Sequence, residues 1–188
     1  MASTSDIRNG MCINFNSDIY QVVEFLHVKP GKGAAFVRTK MKSVTTGRVL
    51  ENTFPSGAKL DEVRVEHRDY QYLYPEGDFF NFMNNETYEQ ISIDKKLINN
   101  PDLLKEGVNV KIAVRAEDEM PLTVTLPPTV TLEVTYAEPG IKGDTATNTL
   151  RPSTVETGAK VMIPLFVNIG DKIKINTETG DYMERVKA

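Results

Sequence analysis

The chain has few of the residues from which chemical sites are usually built. It contains one cysteine, two histidines and no tryptophan among 188 residues. One cysteine cannot form an internal disulfide, and one cysteine with two histidines falls short of the four ligands of a structural zinc site. We therefore expect no disulfide scaffold, no metal and no other cofactor.

Long apolar runs are also missing. None approaches the ~18 residues that cross a bilayer, and the stretch from Met1 to Asp6 has neither a basic flank nor a hydrophobic core typical of a signal peptide. A composition of 40% hydrophobic and 26% charged residues is typical of a globular protein. The sequence thus predicts a cytoplasmic protein with no membrane partner.

The net charge of −4 is unevenly distributed. Residues 1–63 carry eight basic and six acidic side chains, whereas residues 64–127 carry seven and twelve. No acidic residue lies between Phe25 and Leu50, but six basic ones do: Lys29, Lys32, Arg38, Lys40, Lys42 and Arg48. A polyanion should approach this stretch first. The alternative is a solvated strand face whose lysines protect a sheet edge from aggregation.

Short strands separated by turn residues predict an all-β protein. The strand-like runs are 19–28, 36–44 and 48–54, then 63–74, 79–83, 88–93, 108–115 and 122–126, and finally 129–136, 153–157, 160–163, 172–177 and 182–186. Pro127 and Pro128 mark a boundary because proline cannot donate to a strand ladder. We expect three small barrels, at 1–63, 64–127 and 128–188.

One short helix interrupts the second barrel. Asn100 is placed to cap it, Pro101 suits its first residue, and Gly107 can end it after residues 102–106. Five strands with a helix between the third and fourth are typical of an OB-fold.

The sharpest local feature is a hairpin tip at residues 29–35. Pro30-Gly31 suits a type II turn, and Gly31 and Gly33 flank Lys32 with small neighbours, which predicts that Lys32 points outward. A phosphate-binding Walker loop is excluded because its Gly-x-x-x-x-Gly-Lys-Ser/Thr pattern is absent. The tip is either an ordinary turn or a cationic finger for a polyanionic cavity. Strand alternation behind it puts Arg38, Lys40 and Lys42 on one face, where they could follow phosphates.

Aromatic residues concentrate in the acidic second barrel. They could form a base-stacking platform, but the negative charge favours packing within and between barrels. The set comprises Tyr70, Tyr72, Tyr74, Phe79, Phe80, Phe82 and Tyr88.

Five ordered motifs resemble the bacterial translation elongation factor P family. They are PGKGAAF at 30–36, FFNFMNNETYEQ at 79–90, GIKGDTA at 140–146, KVMIPLFVNIGD at 160–171 and GDYMERV at 180–186. The resemblance covers essentially the whole chain. It implies a KOW-type N-terminal barrel followed by two OB-fold barrels in an L-shaped, tRNA-like arrangement.

The resemblance also implies a function and its site residues. Members bind the ribosome beside the peptidyl-tRNA and stimulate peptide-bond formation at consecutive prolines, without being enzymes. By resemblance, Lys32 faces the peptidyl-transferase centre and carries a post-translational extension such as β-lysyl, added by a lysine-modifying enzyme. Lys29, Pro30, Gly31 and Gly33 form the tip loop, Arg38, Lys40 and Lys42 contact tRNA, and Gly143 and Asp144 lie by the exit-site mRNA codon.

Three other interpretations stay open at this stage. A general single-stranded RNA-binding OB-fold protein would need basic faces on the second and third barrels, where the charge is acidic. An enzyme would need a nucleophile–base pair or a carboxylate dyad, and no motif indicates one. The paralogous factor-P-like protein is the nearest competitor.

Overall fold

A computed structural model of the chain describes residues 1–140 and 149–187. Within these ranges the regular structure is β-strand, apart from three single 3₁₀ turns at Thr4–Asp6, Lys95–Leu97 and Pro101–Leu103. The predicted all-β class is confirmed.

The N-terminal strands form a four-stranded sheet, in the order β2-β3-β4-β5, and a two-stranded pair, β1-β6. Burial alternates along β4, so one face packs inward and the other is exposed. Strands β1, β2 and β6 were not predicted, because runs of two to four residues carry little periodic signal. The bounds are β1 Ala2–Ser3, β2 Cys12–Phe15, β3 Asp18–Val28, β4 Phe36–Ser43, β5 Val49–Pro55 and β6 Lys59–Leu60.

The inner face of this sheet covers an apolar core. Val22, Val37 and Met41 are almost fully buried there together with Ile13. Cys12 belongs to a second buried cluster with Ala113, as expected for a small apolar residue. Burial raises the pKa of the Cys12 thiol, which keeps it protonated.

The central strands form a five-stranded sheet in the order β11-β10-β7-β8-β9. The bounds are β7 Val65–Glu76, β8 Phe79–Asn84, β9 Gln90–Asp94, β10 Asn109–Arg115 and β11 Met120–Thr125. Tyr72 and Phe82 are buried and pack ring against ring at 5.5 Å. Burial, with a smaller effect of Glu106, raises the pKa of the Tyr72 hydroxyl to about 12.

The predicted helix after the third central strand is only one 3₁₀ turn, Pro101–Leu103. The predicted cap by Asn100 is wrong, since Asn100 has a left-handed φ of +51° and its side chain makes no capping bond. Its amide Nδ2 instead donates to the carbonyls of Thr177 at 2.7 Å and Glu178 at 3.2 Å. These distant acceptors replace the cap with a tie between segments 77 and 78 residues apart in the chain.

The C-terminal strands form a second five-stranded sheet in the order β14-β13-β12-β15-β16. The bounds are β12 Thr129–Ala137, β13 Leu150–Val155, β14 Lys160–Pro164, β15 Lys172–Asn176 and β16 Tyr182–Val186. The core is aliphatic, with Val134, Ile163, Ile173 and Ile175 fully buried.

The described chain divides by spatial contact into two compact units. One consists of Met1–Arg68 with Ile112–Thr123, and the other of Asp69–Lys111 with the chain from Val124 onward. The predicted segments 1–63, 64–127 and 128–188 stay a prediction.

Candidate nucleic-acid interface

The candidate tip lies at the end of a long ribbon formed by β3 and β4, and β4 also pairs with β5 along its length. Strands β3 and β4 pair continuously from Tyr20 opposite Ser43 to Val28 opposite Phe36, apart from one bulge. The loop 29–35 joins them, and the Ala35 carbonyl accepts a 3.0 Å hydrogen bond from the Ser56 N–H. The paired strands therefore hold the loop at a fixed end of the sheet.

The two tip glycines have different roles. Gly33 has φ +113°, a conformation that favours glycine. Gly31 is not in the left-handed region, so the predicted type II turn at Pro30-Gly31 is wrong. A Cβ built at Gly31 would meet open space. The backbone therefore requires glycine at 33, while the lack of neighbours at 31 leaves room around Lys32.

Lys32 is exposed, as the flanking glycines predicted. Within residues 1–140 and 149–187 its ammonium group has neither a salt bridge nor a hydrogen bond, and the same holds for Lys29. Two exposed cationic groups thus lie at the tip without an anionic partner among the described residues.

Behind the tip, the predicted alternation of β4 is observed. Arg38, Lys40 and Lys42 are exposed, and the residues between them are buried. The three basic side chains therefore share the outer face of the sheet, where they could follow a phosphate backbone. Their contact with tRNA stays a prediction.

Strand register places two acidic residues beside Lys40. Glu24 on β3 and Glu51 on β5 lie directly opposite it, although neither carboxylate forms a salt bridge with it. A bulge between Val22 and Glu24 sets this register, since an unbroken ladder would put Val23 opposite Lys40. Sequence reasoning missed both glutamates because each lies one residue outside the basic stretch.

The other two cations of this face have neutral neighbours. Leu26 and Thr53 lie opposite Arg38, and Gln21 and Val49 lie opposite Lys42. Opposite charges in facing positions attract each other, so Lys40 is partly compensated within the sheet while Arg38 and Lys42 are not.

Salt bridges within the described residues all involve basic residues outside the stretch from Phe25 to Leu50. Those exposed pairs stabilise the fold little, but they neutralise cations locally. Their basic members are Arg8, Arg64, Arg68, Lys95, Lys105, Lys111, Arg115, Lys174 and Arg185. All six cations between Phe25 and Leu50 therefore lack a salt bridge within the described residues, as do Lys59, Lys96, Lys160 and Lys172 elsewhere.

A polar cluster fixes the opposite end of the ribbon. The Asp18 carboxylate accepts hydrogen bonds from the Ser43 hydroxyl at 2.6 Å and the Thr45 hydroxyl at 2.7 Å. Burial raises the pKa of the Asp18 carboxyl, but these bonds and one from the Ile19 N–H outweigh it and leave the pKa below its ordinary value. The ionised carboxylate thus ties the start of β3 to the end of β4.

The aromatic residues of the central sheet are divided between core and surface. Tyr70, Tyr72 and Phe82 are buried, in agreement with the packing prediction. The prediction is wrong for Tyr74, Phe79 and Tyr88, which are exposed. Phe80 is half-buried.

Three other sequence predictions concern the exit-site loop, a metal site and a membrane-spanning segment. Gly143 and Asp144 lie outside the described residues. Across 1–140 and 149–187, no group of three His, Cys, Asp or Glu residues is arranged to hold a metal ion. In the same ranges, no helix has the length and hydrophobicity needed to span a membrane.

Three family models match successive parts of the chain. They are described as an elongation factor P KOW-like domain at residues 3–60, an elongation factor P OB domain at 65–124, and elongation factor P, C-terminal, at 130–185.

Curated relatives match over the full length. The chain is 65% identical over 187 residues to elongation factor P of Flavobacterium psychrophilum and of Flavobacterium johnsoniae, with 100% of each chain covered. It is 56% identical to elongation factor P 1 of Porphyromonas gingivalis, again with 100% of both chains covered.

A solved structure supports the fold. The chain resembles a translation initiation factor eIF-5A family protein from Naegleria fowleri with a TM-score of 0.51 and 19% identity. The match covers 66% of this chain and 96% of that one.

Proposed function

The chain belongs to the elongation factor P family of translation elongation factors, and from this premise we propose that it acts on ribosomes stalled at consecutive prolines, where it steadies the CCA end of the peptidyl-tRNA. Proline fixes φ and presents a hindered secondary amine, so the two reacting groups meet poorly. Orientation alone can change a barrier by several kcal/mol, at ~1.4 kcal/mol per tenfold in rate. In this proposal the ribosome stays the catalyst and the chain is not an enzyme.

One observation carries the proposal: Lys32 is exposed, has no partner among the described residues, and lies at the end of the paired strands β3 and β4. A cation held in this way can reach the phosphates and ribose hydroxyls of RNA without first breaking an internal ion pair. The base of the ribbon, fixed by Asp18 and Ser43, would keep the tip from moving with its ligand.

A modification of Lys32 fits the same geometry. An added group such as β-lysyl would lengthen the cationic arm, and open space around Gly31 would accommodate it. The proposal therefore includes a lysine-modifying enzyme as a partner. Ordering the longer arm would have an entropic cost that its additional contacts must exceed.

The remaining contacts follow the outer face of the N-terminal sheet. Arg38 and Lys42, with Lys40 as a weaker member, would bind the backbone of the peptidyl-tRNA while the whole chain contacts both ribosomal subunits. Gly143 and Asp144 would lie by the exit-site mRNA codon.

The test is translation of a Pro-Pro-Pro reporter with purified components and native protein. Lys32→Ala should lower the stimulation about tenfold, which corresponds to ~1.4 kcal/mol of lost transition-state stabilisation. Lys59→Ala is the matched control, because Lys59 is an exposed lysine of the same N-terminal region but lies away from the tip. Equal stimulation by the wild type and Lys32→Ala would refute the proposal. Intact-mass measurement of the tip peptide from native cells tests the modification.

A further inference from the structure

One type of hairpin loop occurs three times in the part of the chain that the structure describes. Each copy spans six residues, and the N–H of its first residue donates to the carbonyl of its sixth at 2.8–2.9 Å. The N–H of its fifth residue donates back to the carbonyl of its first at 2.8–3.0 Å. The copies are residues 43–48, 84–89 and 176–181, and they join β4 to β5, β8 to β9, and β15 to β16.

The side-chain bonds of the three loops also agree. An oxygen of the first side chain, from Ser43, Asn84 or Asn176, accepts from the N–H of the fourth residue at 2.9–3.1 Å. The fourth residue is threonine in every copy, and its hydroxyl oxygen accepts a 3.4 Å bond from the N–H of the sixth residue. Residues at the same position of the three loops can therefore be compared directly with one another.

The fifth position has a left-handed backbone in all three loops. Gly47 has φ +73° and Gly180 has φ +77°, whereas the corresponding residue of the second loop is Tyr88, with φ +61°. Glycine adopts this region without steric penalty, and a bulky side chain seldom does. Two loops therefore follow the steric rule and the loop at 84–89 departs from it.

The Tyr88 side chain has no polar or aromatic partner in the described chain. The side chain is 71% exposed, and it has no hydrogen bond or ring contact with residues 1–140 or 149–187. Glu119 provides the contrast, since it also has a positive φ of +58° but its carboxylate binds the Arg68 guanidinium at 3.2 Å. The left-handed residue Glu119 thus has an ion pair within the described chain. The left-handed residue Tyr88 has no polar or ring contact there.

The charges around Tyr88 indicate what it contacts. Glu86 and Glu89 are exposed on the same loop and form no salt bridge within the described chain. Two carboxylates repel a phosphate backbone, but together with the face of a tyrosine ring they can surround a guanidinium group. We propose that Tyr88, with Glu86 and Glu89, is a docking point for an arginine on a basic protein surface of the ribosome, a partner assignment that rests on the proposed function.

The first test measures binding to purified ribosomes that carry a peptidyl-prolyl-tRNA. Tyr88→Gly should raise the Kd about tenfold, the effect of removing an aromatic anchor, and Tyr88→Phe should stay within about twofold because it keeps the ring. Tyr136→Ala is the control, since it removes a tyrosine of similar exposure from another strand system. Wild-type affinity in Tyr88→Gly would overturn the inference. Failure of the wild type to bind would overturn both this inference and the proposed function.

Stability measurements separate docking from folding. Tyr88→Gly should keep its Tm within about 2 °C of the wild type or raise it, because relief of strain offsets the greater chain entropy of glycine. The reciprocal change Gly180→Tyr should lower Tm. A fall of more than about 5 °C in Tyr88→Gly would show that the ring serves the fold, and an unchanged Tm in Gly180→Tyr would remove the steric premise.

A photo-crosslink identifies the class of partner. Benzoylphenylalanine at position 88, on ribosomes to which this variant binds, should form a product that resists ribonuclease and disappears with protease. The same group at position 136 serves as the control. A product with RNA, or none from position 88, would overturn the assignment to a protein surface.

Discussion

Replacing Arg38, Lys40 and Lys42 one at a time by glutamine should separate the cations that bind phosphate from the one that the sheet already compensates. Glutamine keeps most of the side-chain length and removes the charge. Arg38 and Lys42 have neutral neighbours in register, whereas Lys40 lies between Glu24 and Glu51. The first two changes should therefore weaken ribosome binding more than the third.

The size of the effect follows from counterion release. The logarithm of the binding constant falls with the logarithm of the salt concentration. Each lost phosphate contact makes this negative slope shallower by ~0.8 for a nucleic acid partner. For a fourfold change in salt, from about 50 to 200 mM, this slope corresponds to roughly a threefold change in affinity. Arg38→Gln and Lys42→Gln should thus each lose about three times more affinity at the lower salt than at the higher. Lys40→Gln should show a clearly smaller difference.

The assay is equilibrium binding to purified ribosomes at four or more salt concentrations. A double variant, Glu24→Gln with Glu51→Gln, supplies the converse, because it frees Lys40 and should steepen the slope. Equal slope changes for all three cations would refute the reasoning from register. Wild-type slopes in every variant would mean that this face is only a solvated surface.

Two further predictions concern the elements that hold the fold. Ser43→Ala should destabilise the chain by about 1–3 kcal/mol at neutral pH, because Asp18 loses a buried hydrogen-bond donor. Since the folded pKa of Asp18 is depressed, its stabilising effect exists above the unfolded pKa of ~3.9 and disappears as the pH falls through the folded value. Urea unfolding from neutral to acid pH should therefore show the difference between the wild type and Ser43→Ala narrowing below about pH 4, with a remainder from the bond that the Ser43 hydroxyl accepts from the Thr46 N–H, and a constant difference would contradict the role of Asp18. Asn100→Gly should cost about 1–2 kcal/mol through its two lost hydrogen bonds, and Asn100→Ala about 1 kcal/mol more because of the positive φ; equal unfolding free energies for both variants would exclude backbone strain there.

Local patterns in the sequence were sufficient for the longer strands and for the basic face, although not for the short strands β1, β2 and β6. Alternation along β4 depends on the two-residue repeat of a strand, so the exposure of Arg38, Lys40 and Lys42 could be predicted without knowing any neighbour. The exposure of Lys32 followed in the same way from its glycine neighbours. Both are properties of a few adjacent residues.

Contacts between distant segments could not be predicted in this way. The compensation of Lys40 depends on a single bulged residue in β3 that brings Glu24, and not Val23, opposite it. Asn100 had the local signature of a helix cap, but carbonyls 77 and 78 positions away took its amide group. The departure of Tyr88 was visible only once three loops could be compared bond by bond.

The sequence by itself therefore determined the fold class and the basic stretch, because steric preference and periodicity act between residues close in the chain. Its ordered motifs separately indicated the family. Tertiary structure decided which charges are neutralised, which polar groups are shared and which side chains have no internal partner. Those properties depend on strand register, and register is set by the packing of the whole sheet.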